Sequence, residues 1–459
     1  MQHARKFVFL VFVLFFLSLS LTYANNMGFF SLDWNYQASY QVSPNALDSI
    51  GQTVYYGSGN PNNPTNLLYA RDISSGNLIW QYNTSLPVNY VSHFSPNGSI
   101  YVITGTGGSQ TSGLVSKSYV IARSSSNETL WQSTNLSSSV RSLCSAKNYT
   151  GNGEDVVAGL LNGTLLRLSG VNGSILWRQS CVGEVFTISE LKNGSIVVGS
   201  RESATNVGHV YRFQKNGALE WEMPPLPLQP AITLVRKFAD VNLDGEPEMI
   251  AVFNDNEIHV LNGSNGQELT PKWPLSLGQD NIKDLLCRVD YTGDGFPDIV
   301  AGTEDGNLTI INGLTAAFFV VPTRVSYTLS HIQYMYYYKD ETAYLNKTLA
   351  VSVIELPGPS FAYYINGVNA SNMATMKQYQ TSAPTSNLNN IGNFTSSYTG
   401  DLIFSVNDFI HLPATFSVYC ISGTEIIVSE FPSPIILAIL IAAAWLLMAI
   451  LRRKHFGIE

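Results

Sequence analysis

Asp240, Asn242, Asp244 and Glu248 occupy the first, third, fifth and ninth places of one short loop, with Gly245 at its bend. Asp290, Thr292, Asp294 and Asp298 repeat that spacing fifty residues later, around Gly295. A hard cation such as Ca2+ takes several oxygen ligands at about 2.4 Å, and alternate residues of a tight loop turn their oxygens inward. The seventh place would add a backbone carbonyl, from Glu246 or Phe296. Neither loop carries the twelfth-place bidentate Glu of a full EF-hand. The bland reading is a solvated acidic turn, since Asp, Asn and Gly form turns on their own account. The ninth-place carboxylate in both loops favours Ca2+, as a structural ion. A shorter third version at 148–155 is uncharged at its first and fifth places and is not expected to bind metal.

The elements that would position these loops are short and β-rich. Ile232 to Val235, Met249 to Phe253 and Ile258 to Leu261 are apolar runs broken by the acidic turn and by Asn262-Gly263, a hairpin signal. One such antiparallel sheet cannot bury both its faces, so the unit must repeat. Trp34, Trp80, Trp131, Trp177, Trp221 and Trp273 mark the repeat, at spacings of 46, 51, 46, 44 and 52 residues. That is the period of a four-stranded propeller blade. Before most of them stands the same pattern: a strand, a turn with Gly at the left-handed position, and a short strand ending in Trp.

After Trp273 the motif continues without tryptophan, at Leu308 to Gly313 with Phe318 and Phe319, at Phe361 to Gly367 and at Phe416 to Gly423. The expected fold is all-β: a propeller of about eight four-stranded blades. The first strand, Phe29 to Trp34, would complete the last blade and close the ring, leaving no exposed edge. The propeller would span 27–428, with 29–320 the clearest part. The stretch 321–428 reads as the last blades or as a separate β-sandwich, which would leave six or seven blades.

The strand, Gly-turn and Trp signature from Trp34 to about Phe319 resembles the repeats of quinoprotein-dehydrogenase-like (PQQ-like) propellers, whose members include non-enzymatic scaffolds. The acidic turns resemble the calcium-binding turns of FG-GAP repeats in integrin-type heads. These resemblances imply the architecture and a calcium role, but no particular activity.

At the N-terminus, Arg5 and Lys6 precede an apolar run from Phe7 to Leu21, and Ala24 ends a secretory leader at 1–24; an uncleaved anchor helix is the alternative. Residues 435–451 form an uncharged apolar stretch followed by Arg452, Arg453 and Lys454 within the tail 452–459. With 431–434 the stretch is long enough for one transmembrane helix, and the basic stop belongs on the cytoplasmic side. The linker 429–434 (Ser429-Glu430-Phe431-Pro432 at its start) resembles archaeal Pro-Glu-Phe sorting tails, with Ser429 where that family has Pro. That resemblance implies exchange of the helix for a lipid anchor. Both routes put a membrane-tethered protein at the cell surface.

Composition agrees with an exterior location. Charged residues are 13% of the chain against about 25% in typical soluble domains. The net charge of -8 argues against a nucleic-acid partner, which needs a basic face to replace counterions. Sequons at Asn83, Asn97, Asn127, Asn135, Asn162, Asn172, Asn193, Asn262, Asn307, Asn346, Asn369 and Asn393 are glycosylation candidates, several of them also hairpin tips. Cys144, Cys181, Cys287 and Cys420 form no metal-type pair, and the five ectodomain histidines are scattered.

With no nucleophile elbow, phosphate loop or zinc-protease motif, the reading is a non-catalytic binding, scaffold or adhesion protein with an extracellular protein or glycan partner. A quinone-dependent dehydrogenase is the alternative, although the adjacent cysteines usual in such enzymes are missing. A glycan-binding surface is the other, through tyrosines such as Tyr334, Tyr336, Tyr337 and Tyr338.

Overall fold

The computed structural model describes residues 28–423 apart from 39–40, 60–65, 109–116, 150–151, 193, 224–229, 279–280, 325–327, 335–347, 356–361, 370–374, 384, 393–398 and 409–414. The chain divides into two compact units, Phe29–Thr424 and a second made of Met1–Gly28 with Glu425–Glu459. The leader, the linker, the apolar stretch at 435–451 and the basic tail lie outside the described residues, as do Tyr336, Tyr337 and Tyr338. Among the described residues no helix is long and apolar enough to cross a membrane.

Every regular element among the described residues is a strand, and the strands follow one another as antiparallel meanders of four. Counting from Val42, the third meander comprises Val140–Lys147, Glu154–Leu160, Thr164–Leu168 and Ile175–Ser180. The fifth comprises Ile232–Lys237, Met249–Phe253, Glu257–Leu261 and Leu275–Ser276. The sixth comprises Ile282–Val289, Asp298–Thr303, Asn307–Ile311 and Phe318–Arg324. Two more sets follow in the same order, so the described residues between Thr328 and Gly423 continue the strand pattern of the rest. The last set has only three strands of its own. Its fourth is Gly28–Ala38, which pairs antiparallel with Thr415–Gly423 from Phe30 opposite Gly423 to Ala38 opposite Phe416. The two ends of the described chain are thereby zipped into one sheet.

The middle strands of the first six meanders are largely buried, whereas outer strands such as Ile175–Ser180 are largely exposed. A strand buried on both faces must lie between two other sheets. The apolar clusters show which ones. Phe94, Ile103 and Trp131 of the second meander pack on Val156, Ala158 and Leu166 of the third. Ile250, Val252 and Trp273 of the fifth meander pack likewise on Leu285, Ile299 and Ile311 of the sixth.

Tryptophan and glycine join four of the sheets to the next. Trp131, on the last strand of the second meander, donates its indole N–H to the Gly170 carbonyl of the third at 2.7 Å. Its ring lies flat on Gly173, where an added Cβ would stand 2.5 Å from the indole. Gly173 also has φ +70°, which L side chains resist. The contact recurs for Trp34 on Gly76, Trp177 on Gly217 and Trp221 on Gly266. The matching indole bonds run from Trp34 to Ile73, Trp80 to Ser125, Trp177 to Lys215 and Trp221 to Gly263.

Trp273 departs from this pattern. It lies outside the fourth strand of its meander, which is reduced to Leu275–Ser276. Glu268 still bridges Leu261 and Leu269 donates to Val260, but Pro271 and Pro274 cannot donate to a strand ladder, so regular pairing resumes only after the second proline.

Gly173→Ala adds both a backbone penalty and a clash with Trp131, and is expected to cost about 3 kcal/mol. Gly98→Ala has the same kind of backbone but open space around it, and is expected to cost only about 1 kcal/mol. Urea denaturation of the two variants side by side measures the difference. Equal losses would remove the indole contact from the account.

Candidate metal centre

The two acidic turns join the first and second strands of the fifth and sixth meanders. In the fifth, Asp240, Asp244 and Glu248 each bring a carboxylate oxygen to within 4.8 Å of the others. Asp290, Asp294 and Asp298 do the same in the sixth. Backbone N–H groups hold each loop open around this centre. Asp240 accepts from Asp244 at 3.1 Å and Gly245 at 2.9 Å, and Asp290 from Gly293 at 2.6 Å and Gly295 at 2.8 Å. Asp244 accepts from the Glu246 amide, which holds its carboxyl below the usual range.

The third-place residues take different parts. Asn242 accepts the Asp244 N–H at 2.8 Å, while the Thr292 hydroxyl donates to Asp298 at 3.2 Å. At the seventh place the Glu246 carboxylate is taken by Arg212 of the preceding meander at 2.8 Å, so only its carbonyl is left for an ion. Phe296 donates its N–H to Asp294 at 2.9 Å, and its side chain packs on the core between the fifth and sixth meanders.

The turn after the third strand of the same meander closes each site, a feature that sequence reasoning missed. Asn262 and Ser264 both donate to Asp244 at 3.1 Å, and Asn312 donates to Asp294 at 2.6 Å. The recurring Asn-Gly after the third strand carries that signal, but in the sequence it reads as a hairpin turn and, at Asn262, as a sequon. Asn262, one of the sequons, uses one of its two amide N–H groups for this bond. Asn83, Asn97, Asn135, Asn162 and Asn172 are exposed, Asn127 and Asn307 are half-buried, and Asn193, Asn346 and Asn393 lie outside the described residues.

The ninth-place carboxylates are the unusual groups. Glu248 and Asp298 are both 0% exposed. Glu248 accepts the Val241 N–H through one oxygen at 2.6 Å, and its other oxygen is buried with no hydrogen-bond partner. Burial pushes its carboxyl up to about 7, helped by the negative charges of Asp240 and Asp244. Burial raises Asp298 too, against the N–H groups of Thr292 and Tyr291.

The third meander shows how the same position is neutralised elsewhere. Arg167 on its third strand lies opposite Val157 on the second, and Asp155 stands two residues before Val157. By the same register Val260 lies opposite Ile250, two residues beyond Glu248, and Ile310 lies opposite Val300, two beyond Asp298. Asp155, Glu248 and Asp298 therefore hold one structural position, and Arg167, Val260 and Ile310 hold another. Arg167 is fully buried and meets Asp155 at 2.9 Å. The fifth and sixth meanders have the full acidic turn and an aliphatic residue in place of the arginine. A buried carboxylate costs several kcal/mol unless a cation accompanies it. Ca2+ fits both donor sets, which offer oxygens alone.

The remaining reactive types are inert here. All four cysteines are free thiols, and burial pushes Cys144 and Cys181 up to about 12, which keeps the thiolate scarce.

The family model described as outer membrane protein assembly factor BamB (PQQ_2) matches residues 116–291, less than half of the chain. No curated protein sequence matches. Among solved structures, the quinohemoprotein alcohol dehydrogenase ADHIIG from Pseudomonas putida HK5 aligns with a TM-score of 0.56 at 11% identity, over 87% of this chain and 77% of that one. The computationally designed Ika8 protein aligns with a TM-score of 0.54 at 14% identity, over 86% and 99%. BamB from Moraxella catarrhalis aligns with a TM-score of 0.48 at 13% identity, over 85% and 99%. The fold is thus a β-propeller of the PQQ-like repeat type, an architecture shared by an enzyme and a designed protein alike.

If Glu248 is an unaccompanied buried charge, Glu248→Gln stabilises the chain in chelator by about 1 kcal/mol. The same change should remove part of the stabilisation that Ca2+ brings. Thermal unfolding of both proteins with and without Ca2+ reads the two effects. Destabilisation by the same amount in both buffers would contradict this account.

Proposed function

We propose that this chain is a calcium-stiffened propeller of eight blades, closed by its first strand, that works as a non-catalytic binding scaffold at a membrane surface. The observation that carries the reading is the replacement of the buried Asp155–Arg167 pair by Glu248 and Asp298 without an arginine. An ion at these places ties the first and second strands of a blade to its own third-strand hairpin through Asn262 or Asn312. It stiffens a blade and leaves loop surfaces free for a partner. Extracellular calcium sites bind at about 0.1–1 mM. Tenfold excess over the dissociation constant contributes about 1.4 kcal/mol per site.

The match of 116–291 to a family model named for an outer-membrane assembly factor supports a scaffold of this kind. The leader at 1–24 and the apolar stretch at 435–451 with its basic stop support a tether, with the propeller outside and the C-terminus cytoplasmic. The partner is an extracellular protein or glycan, and exposed sequons are consistent with that compartment.

Two measurements test this. Removing Ca2+ should lower the unfolding midpoint by a few degrees, and an Asp244→Asn, Asp294→Asn double variant should no longer respond to the ion. Incubation with pyrroloquinoline quinone and Ca2+ should give neither a stoichiometric quinone absorbance nor dye-linked alcohol oxidation. A bound quinone with turnover would replace the scaffold by an enzyme.

A further inference from the structure

A second cluster of ligand-type side chains lies in the fifth meander, at the end opposite its acidic turn. We infer that Asp255, Glu257 and His259 hold a divalent transition-metal ion of the zinc class, with Glu268 orienting the histidine. The hairpin between Met249–Phe253 and Glu257–Leu261 turns through Asn256, which has φ +70° and donates its N–H to the Phe253 carbonyl at 3.2 Å. Asp255 stands on this turn. Glu257 and His259 are alternate residues of the strand that leaves it, so their side chains share one face. One ligand atom from each of the three lies within 4.8 Å of the other two.

His259 sets the chemistry. It is 1% exposed, and its ring meets Phe253 edge-on at 5.0 Å between centroids. Its Nδ1 lies 2.5 Å from a Glu268 oxygen, a contact that places the ring proton on Nδ1 and leaves the Nε2 lone pair free. Nε2 is buried without a hydrogen-bond partner and faces Glu257 at 3.8 Å. A carboxylate on one ring nitrogen and a metal on the other is the usual arrangement of a ligating histidine. The second Glu268 oxygen is likewise buried without a partner. Three carboxylates around one imidazole keep a negative surplus even when the ring is protonated, whereas a doubly charged ion offsets it.

The donor set selects the ion. One imidazole and two carboxylates suit Zn2+ at about 2.0–2.2 Å, with water in the fourth place. Ca2+ prefers oxygens alone, so the acidic turns do not compete for the same metal. Tetrahedral donors at those bond lengths stand about 3.3 Å apart. The exposed Asp255 and half-buried Glu257 can close that gap by rotamer changes while the buried ring stays in place.

The test uses the full chain with its calcium sites saturated. Isothermal titration with Zn2+ should show one tight site, and Co2+ in its place should give the visible band of a four-coordinate N/O site. Asp255→Ala, at an exposed residue, should weaken Zn2+ at least tenfold without altering the fold. His259→Gln should abolish the site and the Co2+ band. Glu268→Gln should keep the stoichiometry and weaken the affinity roughly 10–100-fold. Unchanged Zn2+ stoichiometry and affinity in both Asp255→Ala and His259→Gln would overturn the assignment, as would the absence of any Zn2+ binding by the parent protein.

Discussion

The contact on which the rest of the fold depends is an indole resting on a glycine of the neighbouring sheet. A four-stranded meander has two apolar faces and no core of its own, so each must be held against the next. Trp131 does this with a flat contact on Gly173 and a hydrogen bond to Gly170, and Trp34, Trp177 and Trp221 do it with the same geometry. The indole buries a large apolar area while its N–H satisfies a turn carbonyl. That combination fixes distance and register together. Trp34 belongs to the N-terminal strand paired with Thr415–Gly423 and rests on Gly76 of the first meander, so it links three separate parts of the chain.

Packed sheets impose a second constraint, on charge. The position held by Asp155, Glu248 and Asp298 is buried in all three meanders, and an ionised carboxylate there is costly unless a cation accompanies it. The third meander meets that need with Arg167, whose guanidinium also donates to the carbonyls of Gly194 and Lys147. The fifth and sixth meanders set an acidic turn beside an aliphatic residue. The shortened turn at 148–153 goes with the arginine, and the full turns go with its absence. The two solutions are alternatives at one site.

The fold was legible because its repeat depends on residues that seldom substitute for one another. An indole at intervals near fifty residues, preceded by a left-handed glycine, leaves little room for another architecture. The alternation of acidic residues around Gly245 and Gly295 was legible too, since loop ligands are close in sequence. The bonds of Asn262 and Asn312 to the acidic turns were not legible, because a hairpin asparagine has a sufficient explanation in its own turn. The Arg212 bond to Glu246 crosses between meanders, and nothing in the spacing of the two residues announces it.

The sequence by itself determined the β-repeat, the tryptophan period and the acidic turns, all of which rest on local spacing. Tertiary structure decided which carboxylates are buried, which have a partner and which do not. His259 shows the difference most clearly, since in the sequence it is one scattered histidine among several. In the fold, the strand pairing brings Glu268 to one ring nitrogen and leaves the other facing Glu257 and Asp255. Burial and charge compensation depend on neighbours across a sheet or between sheets, and those neighbours exist only once the chain has folded.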